Sequence, residues 1–347
     1  METFIQQLTG NFSLNGREGK YICEVNAPRA VLNAHNGEHI GTFTCDPVAW
    51  PEPEKEYALP LDLDRTPDVD MPVIGICESE IMAEVQKPEN DGAYFVLPSQ
   101  LNGAEYPAPG IIVRKIEEYL FDNTGGPRGQ LAVHPAAGQF ILDNAACDDR
   151  LNGINAVDTL LDRNPQFKLK NGYMEMPMPD SETESNQLLT NFLTSIHTLR
   201  PLIMSGIPAS GLIPSMGSFS DATHKVNLVY ASAVPLETYN NRPMSQVQKD
   251  LHNKIGLSIL VAQYYGALKT AASRAEPGTT AKVFLMPLGG GVFNNSFDSI
   301  GKSISMAVEM LTDEDRAKLT VQVLVWNGKR KEKLDMCRLL TRYKKLE

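Results

Sequence analysis

The chain has 347 residues, of which 42% are hydrophobic and 21% charged, and its net charge is −10 at neutral pH. Such a composition and length fit one large α/β domain with an appendage, or two domains, and exclude a disordered or fibrous chain. The acidic balance argues against nonspecific binding to nucleic acid or to an anionic membrane, although a local basic patch over a small anion remains compatible with it.

Residues 1 to about 70 are rich in turn residues and poor in periodicity, with stretches such as "NGREG" and "AWPEPEKEYALPLDLDRTPDVDMP". Short strands are expected near Tyr21–Val25 and Thr42–Cys45. The segment is read as an irregular N-terminal extension packed on a core that runs from residue 71 to 347. From Val73 the pattern changes. Val73–Cys77 and Ala93–Gln100 are short apolar strands, and "GINAVDTLLDR" places Ile154, Val157, Leu160 and Leu161 on one helical side. "NQLLTNFLTSIHTLRPLIM" reads as a helix with Pro201 near its end. "HKVNLVYASAVP" is a strand with apolar residues on both faces, as in a covered central strand. "SQVQKDLHNKIGLSILVAQYYGALKTAASRA" is a long amphipathic helix, with Tyr264 and Tyr265 in or at the edge of the core. Then follow the buried strand "AKVFLMPL", a glycine loop, a helix around "SIGKSISMAVEML", a last strand "LTVQVLVWNG" and a closing helix "KEKLDMCRLLTRYKKL". This alternation predicts an α/β fold: a mixed sheet, parallel in its centre, with helices on both faces.

The cysteines Cys23, Cys45, Cys77, Cys147 and Cys337 form no C-x-x-C pair, and the six histidines have no metal-ligand spacing. No disulfide framework, metal or cofactor is therefore expected, and a reducing, cytoplasmic compartment is. The N-terminus lacks the apolar core of a signal peptide, and no run has the length of a membrane span.

Two segments look built for a ligand. The first is the loop after "AKVFLMPL": Gly289, Gly290 and Gly291, then Val292, Phe293, Asn294 and Asn295. Ligands of open α/β sheets sit beyond the carboxyl ends of the strands, and glycine N–H groups there can converge on an anion beside a helix N-terminus. Asn294, Asn295 and Ser296 could cap that helix or meet sugar hydroxyls, and Phe293 could stack on a ring. The plain alternative is a sharp turn with no ligand. The spacing fits neither a G-x-x-x-x-G-K-[ST] loop nor a Rossmann fingerprint. The second segment is "FVLPSQLNGAEYPAPG" with "YLFDNTGGPRGQLA". It presents Gln100, Asn102 and Glu105, then Asp122, Thr124, Gly125 and Gly126, with Arg128 as a fork for phosphate. The alternative here is a pair of polar loops with a type II turn at Thr-Gly-Gly-Pro. Two glycine loops in one sheet protein suggest a diphosphate held from both sides.

The order of these elements resembles the macrodomain superfamily, which binds ADP-ribose. "LPSQLNGAEY" and "DNTGGPRG" resemble its first loop, and "FLMPLGGGVFNN" its second. The combination Gln-x-Asn-x-x-Glu-Tyr-Pro with Asp-x-Thr-x-Gly-Pro is similar to a divergent, MavL-like branch found among Legionella effectors, whose activity is ADP-ribosyl hydrolysis on ubiquitin. The resemblance spans Val73 to the end. It implies ADP-ribose or an ADP-ribosylated protein, ubiquitin among them, as partner, and a host cytosol if the chain is a secreted effector. Two family features are missing. No Asn-Ala-Ala-Asn loop precedes a glycine run, and no paired glutamates follow Gly289–Gly291, which speaks against poly(ADP-ribose) cleavage by that route.

Releasing ADP-ribose breaks a glycosidic bond, for which carboxylates supply the acid, the base and the negative charge beside an oxocarbenium ion. The candidates are Glu105, Asp122 and Asp298. Asp122 could instead make an Asx-turn with Thr124, and Asp298 could simply favour a helix N-terminus. The cluster Asp143, Asp148 and Asp149 is read as surface, Asp221 as an outside candidate, and His134 and His224 as structural. A non-catalytic reader of ADP-ribose would use the same loops, and a pyrophosphate-cutting hydrolase would call for a metal.

Overall fold

The computed structural model describes residues 63–64, 79–134, 137–142, 157–213, 218–236, 243–325 and 340, together with strands at 22–26, 29–33, 39–44 and 74–77. In chain order the strands are β1 (Ile22–Asn26), β2 (Arg29–Asn33), β3 (His39–Thr44), β4 (Ile74–Cys77), β5 (Tyr94–Ser99), β6 (Lys168–Lys170), β7 (Tyr173–Glu175), β8 (Leu202–Pro208), β9 (Leu212–Ile213), β10 (Ser218–Phe219), β11 (Lys225–Ser232), β12 (Ala281–Leu285) and β13 (Leu319–Leu324). The helices are α1 (Ile81–Val85), α2 (Gly125–Ala132), α3 (Val157–Arg163), α4 (Glu182–Ser195), α5 (Gln246–Arg274), α6 (Phe297–Glu309) and α7 (Asp313–Ala317).

The central sheet has the order β4-β13-β12-β5-β11-β8. Its first five strands are parallel and β8 closes one edge antiparallel to β11. This is the mixed, centrally parallel sheet that the strand–helix alternation predicts. The strands are apolar on both sides, and their alternation divides the core. Phe95, Leu97, Leu228, Tyr230 and Phe284 face α1 and α2. Tyr94, Val96, Val229, Ala231, Val283 and Leu285 face α5 and α6. Covering both faces is what allows a parallel sheet to carry such uninterrupted apolar runs. Phe95 and Phe284, on neighbouring strands, stack with centroids 4.6 Å apart and planes 6° from parallel.

The helices start where local chemistry sets them. Ser245 opens α5 with a capping box: its Oγ accepts from Gln248 N–H while Gln248 Oε1 accepts from Ser245 N–H. Ser296 opens α6 by accepting from Ser299 N–H at 3.1 Å. The 29-residue α5 is buried along most of its length, against the sheet on one side and against α3 and α4 on the other.

Three expectations are corrected. The Thr-Gly-Gly-Pro segment is the first turn of α2 and not a type II turn, with Thr124 at the N-cap. "PLIM" does not continue the preceding helix: α4 ends at Ser195, a 3-10 turn runs over Ile196–Thr198, and β8 begins at Leu202. Proline disfavours helical backbone at the residue before it, so Pro201 marks the break from helix to strand. At the N-terminus, β1, β2 and β3 form an antiparallel three-stranded sheet, one strand more than expected. Leu63 packs against Leu257, Val261 and Met306 of α5 and α6. The expected closing helix lies outside the described residues except for Leu340, which is buried in the α5–α6 core. Asp143, Asp148 and Asp149 also lie outside them.

The Phe95–Phe284 stack joins the two strands from which the loops of interest leave. Phe284→Ala should lower unfolding free energy by about 3–5 kcal/mol. Urea denaturation with an unchanged m-value is the measurement, and a loss under about 1 kcal/mol would contradict the packing described.

Candidate active site

Every parallel strand sends its carboxyl end toward one cavity of about 520 Å³. That volume suits a nucleotide-sized ligand. The exit of β4 contributes Ser79, Glu80 and Ile81; β5 contributes Pro98 and Ser99; β11 contributes Ala233; β13 contributes Leu324. The β12 exit supplies Met286 to Phe293, and the segments beyond β5 supply Glu105, Tyr106, Asp122, Asn123, Thr124, Gly125 and Arg128. The cavity opens here because β5 and β12 are neighbours whose exits diverge. The chain leaving β5 reaches α2 on one face, and the chain leaving β12 enters α6 on the other. Crevices at such a divergence are where open α/β sheets take ligands.

Close packing builds the β5 side. A Cβ on Gly126 would run into the Pro98 carbonyl oxygen, one on Gly125 into the Met286 side chain, and one on Gly129 into Leu97. These glycines let the first turn of α2 lie against the end of β5. Thr124 does not cap α2 with its side chain. Its N–H and Oγ1 donate instead to Asp122 Oδ1, at 2.8 and 2.6 Å. Asp122 thus makes the Asx-turn foreseen as an alternative, and it also lines the cavity. The first N–H groups of α2 are left without a side-chain acceptor beside the cavity, as at an anion-binding helix terminus.

Glu105 stands next to them, its Oε2 3.7 Å from where a Cβ on Gly126 would lie. Its N–H donates to the buried Tyr119 hydroxyl at 3.0 Å. What remains exposed of Glu105 faces the cavity. Enclosure by the packed walls, and secondarily the negative charge of Asp122, hold its carboxyl well above the usual carboxylate range. Arg128 pairs with Glu80 across the cavity wall, so its guanidinium is already engaged.

The glycine loop is held from below by Tyr264. This buried hydroxyl donates to Met286 O at 2.7 Å and accepts from Leu288 N–H at 2.9 Å. Gly289 has φ of +69°, and a Cβ there would meet Ala233 and Asn295 at 2.5 Å. Asn295 is buried and staples the loop: its Nδ2 donates to Val234 O at 3.0 Å and its N–H to Gly289 O at 3.0 Å. Among the described residues the N–H groups of Gly289 and Gly291 have no acceptor. Phe293 leans on Tyr173 with centroids 5.6 Å apart, and Val292 stands 61% exposed at the rim.

The two segments singled out in the sequence therefore meet in one place, but not every residue in them reaches it. Gln100 and Asn102 are buried behind the wall. Gln100 exchanges hydrogen bonds with the Tyr106 backbone, at 2.6 and 3.1 Å, and Asn102 Oδ1 accepts from Ala104 N–H. Asn294, left-handed at φ 59°, and Asp298 are exposed and not among the lining residues. Asp298 occupies the first turn of α6, as in the helix-terminus alternative. Asp221 is exposed, and His224 Nε2 contacts Val85 O at 2.8 Å. Sequence reading missed Glu80, Tyr106 and Tyr173. Glu80 had a signal, since it lies three residues past a predicted strand end. No group of His, Cys, Asp and Glu suited to a metal occurs among the described residues. No helix among them is long and apolar enough to cross a membrane.

No protein-family model and no curated protein matches the chain. Among solved structures it is similar to poly(ADP-ribose) glycohydrolase from Thermomonospora curvata, at 12% identity and a TM-score of 0.45, over 99% of this chain and 100% of that one. It is also similar to the Deinococcus radiodurans poly(ADP-ribose) glycohydrolase in complex with ADP-ribose, at 12% identity and a TM-score of 0.43, over 81% and 88% of the two chains.

The glycines separate by experiment. Gly126→Ala should lower the melting temperature by several degrees, because the Pro98 carbonyl cannot yield to a methyl. Gly291→Ala should leave it unchanged, since nothing stands within 4 Å of the added atom. Calorimetric melting of the two variants checks this, and equal melting temperatures would count against the described approach of α2 to β5.

Proposed function

We propose that the chain is an ADP-ribosyl hydrolase that releases mono-ADP-ribose from a modified protein side chain. The observation that carries the proposal is Glu105: a carboxyl whose enclosure favours its protonated form, facing a nucleotide-sized cavity between two anion-tolerant backbone segments. The diphosphate would lie between the α2 N-terminus and the Gly289–Gly291 loop. Glu105 would give its proton to the leaving atom of the side chain as the bond to the anomeric carbon breaks. Water would add its oxygen to that carbon and pass a proton to Asp122, from which solvent restores Glu105. Asp122 has one oxygen not taken by Thr124 and supplies negative charge for the oxocarbenium ion. The missing paired glutamates after Gly291 favour a single ADP-ribose unit over a polymer. The resemblance to the MavL-like branch makes ADP-ribosylated ubiquitin the first modified protein to try, with residues 1–70 as an extension that shapes the choice of target.

A second reading is a binding module that retains ADP-ribose without turnover. The Asx-turn favours it, because Asp122 is then partly a structural brace. Glu105→Gln decides between them. Under the hydrolase reading it should cut release of ADP-ribose by at least 10²-fold while calorimetric affinity for ADP-ribose stays within about threefold. Wild-type binding with no release from any modified protein would leave the module. Absence of ADP-ribose binding would remove both.

The same burial predicts a pH signature in stability. The folded state keeps the Glu105 proton above the ordinary carboxylate value of 4.5, at which an unfolded chain releases it. Between those two pH values the folded state binds more protons, so stability falls as pH rises and the full cost is in place above the raised value. Glu105→Gln removes that cost. The variant should match wild type at pH 4 and become progressively more stable than it toward pH 8. A melting-temperature difference that does not change with pH would show that burial does not hold the proton.

A further inference from the structure

We propose that Glu80 is a resident anion in the phosphate position, which an incoming diphosphate must displace from Arg128. The proposal rests on the ligand reading above and refines it.

Glu80 sits at the N-cap of α1 but caps nothing there: no side-chain cap hydrogen bond is made. Its side chain turns to Arg128 of α2, and both residues line the cavity. The contact is one-sided. Glu80 Oε1 meets Nη1, while Arg128 Nε is buried with no hydrogen-bond partner. A guanidinium offers a fork of donors that a phosphate or a carboxylate can take two at a time, so Glu80 fills this one incompletely. Next to it lie the uncapped first N–H groups of α2, which Glu80 does not engage either. The anion site thus holds a weak occupant and retains unused donors.

The exchange is energetically open. The two side chains keep 22% and 31% of their surface exposed. A pair that is only partly enclosed is partly screened, so breaking it costs less than breaking a fully buried one. A diphosphate that satisfied Nε, Nη1 and the helix terminus together would replace one contact by several. Glu80 would then fix Arg128 in the empty cavity, repel ligands with too little charge to displace it, and lower affinity for those that succeed.

A structural brace and a displaceable occupant predict opposite signs. Glu80→Gln and Glu80→Ala should each tighten binding of ADP-ribose and of inorganic pyrophosphate by about two- to fivefold, the order expected for releasing a partly exposed pair. Arg128→Gln should abolish the gain in either background. Calorimetric titration at fixed ionic strength is the readout, and a gain in affinity cannot arise from a damaged fold. Weaker or unchanged binding of both ligands in both variants would overturn the proposal. Pyrophosphate separates it from the ligand reading: tighter pyrophosphate binding with no ADP-ribose binding would retain Glu80 as the occupant and discard ADP-ribose as the ligand.

Discussion

The site depends on one close approach, that of the first turn of α2 to the last residues of β5. Gly126 against the Pro98 carbonyl, Gly125 against Met286 and Gly129 against Leu97 leave no room for side chains. This contact has consequences on both sides of the cavity. It brings Glu105 beside the α2 N-terminus, and it ties α2 to Met286, the first residue beyond β12. The Asx-turn at Asp122 then diverts Thr124 from its capping role. One packing constraint therefore produces an uncapped helix terminus, a buried carboxyl and a second carboxylate in the same wall.

Much of the fold was legible because the strands are apolar on both faces and the long helices carry amphipathic spacing. The strands read at Ala93–Gln100, in "HKVNLVYASAVP" and in "AKVFLMPL" correspond to β5, β11 and β12, and the long amphipathic helix to α5. β8 was not legible, since "LIMSGIP" follows a helix with no turn residues before it other than Pro201. Its apolar residues also continue the helical pattern of "NFLTSIHTL". The type of an element that begins at such a boundary is decided by pairing with β11, a contact distant in sequence.

The two loops beyond strand ends do border one cavity, but their glycines are there for different reasons. Gly125 and Gly126 read as an anion-tolerant turn. In the structure they are first-turn helix residues whose missing side chains admit β5. Gly289 is required by its positive φ, whereas Gly291 is constrained by neither backbone nor neighbours. Asn295, offered as a sugar contact, is consumed in holding its own loop. Gln100 plays the same part in the other loop. Polar residues near a glycine run are thus ambiguous in sequence, because a loop with little side-chain packing of its own must be stapled by amides. Glu80 was legible only as a residue just past a predicted strand end; its partner Arg128 is distant in sequence, and only the fold places the two together.

Glu105 shows why such a site costs stability. Enclosing a carboxyl penalises its charged form, so stability is lost once solvent pH favours ionisation. Asp122 adds to the penalty through its charge. The surroundings of the two carboxylates differ: Glu105 is enclosed, with its own backbone N–H donating to the Tyr119 hydroxyl, whereas Asp122 is tied to Thr124. In the proposed reaction such a difference would divide acid and base roles between them. It depends on the close approach at Gly126, since moving α2 outward would admit water around Glu105.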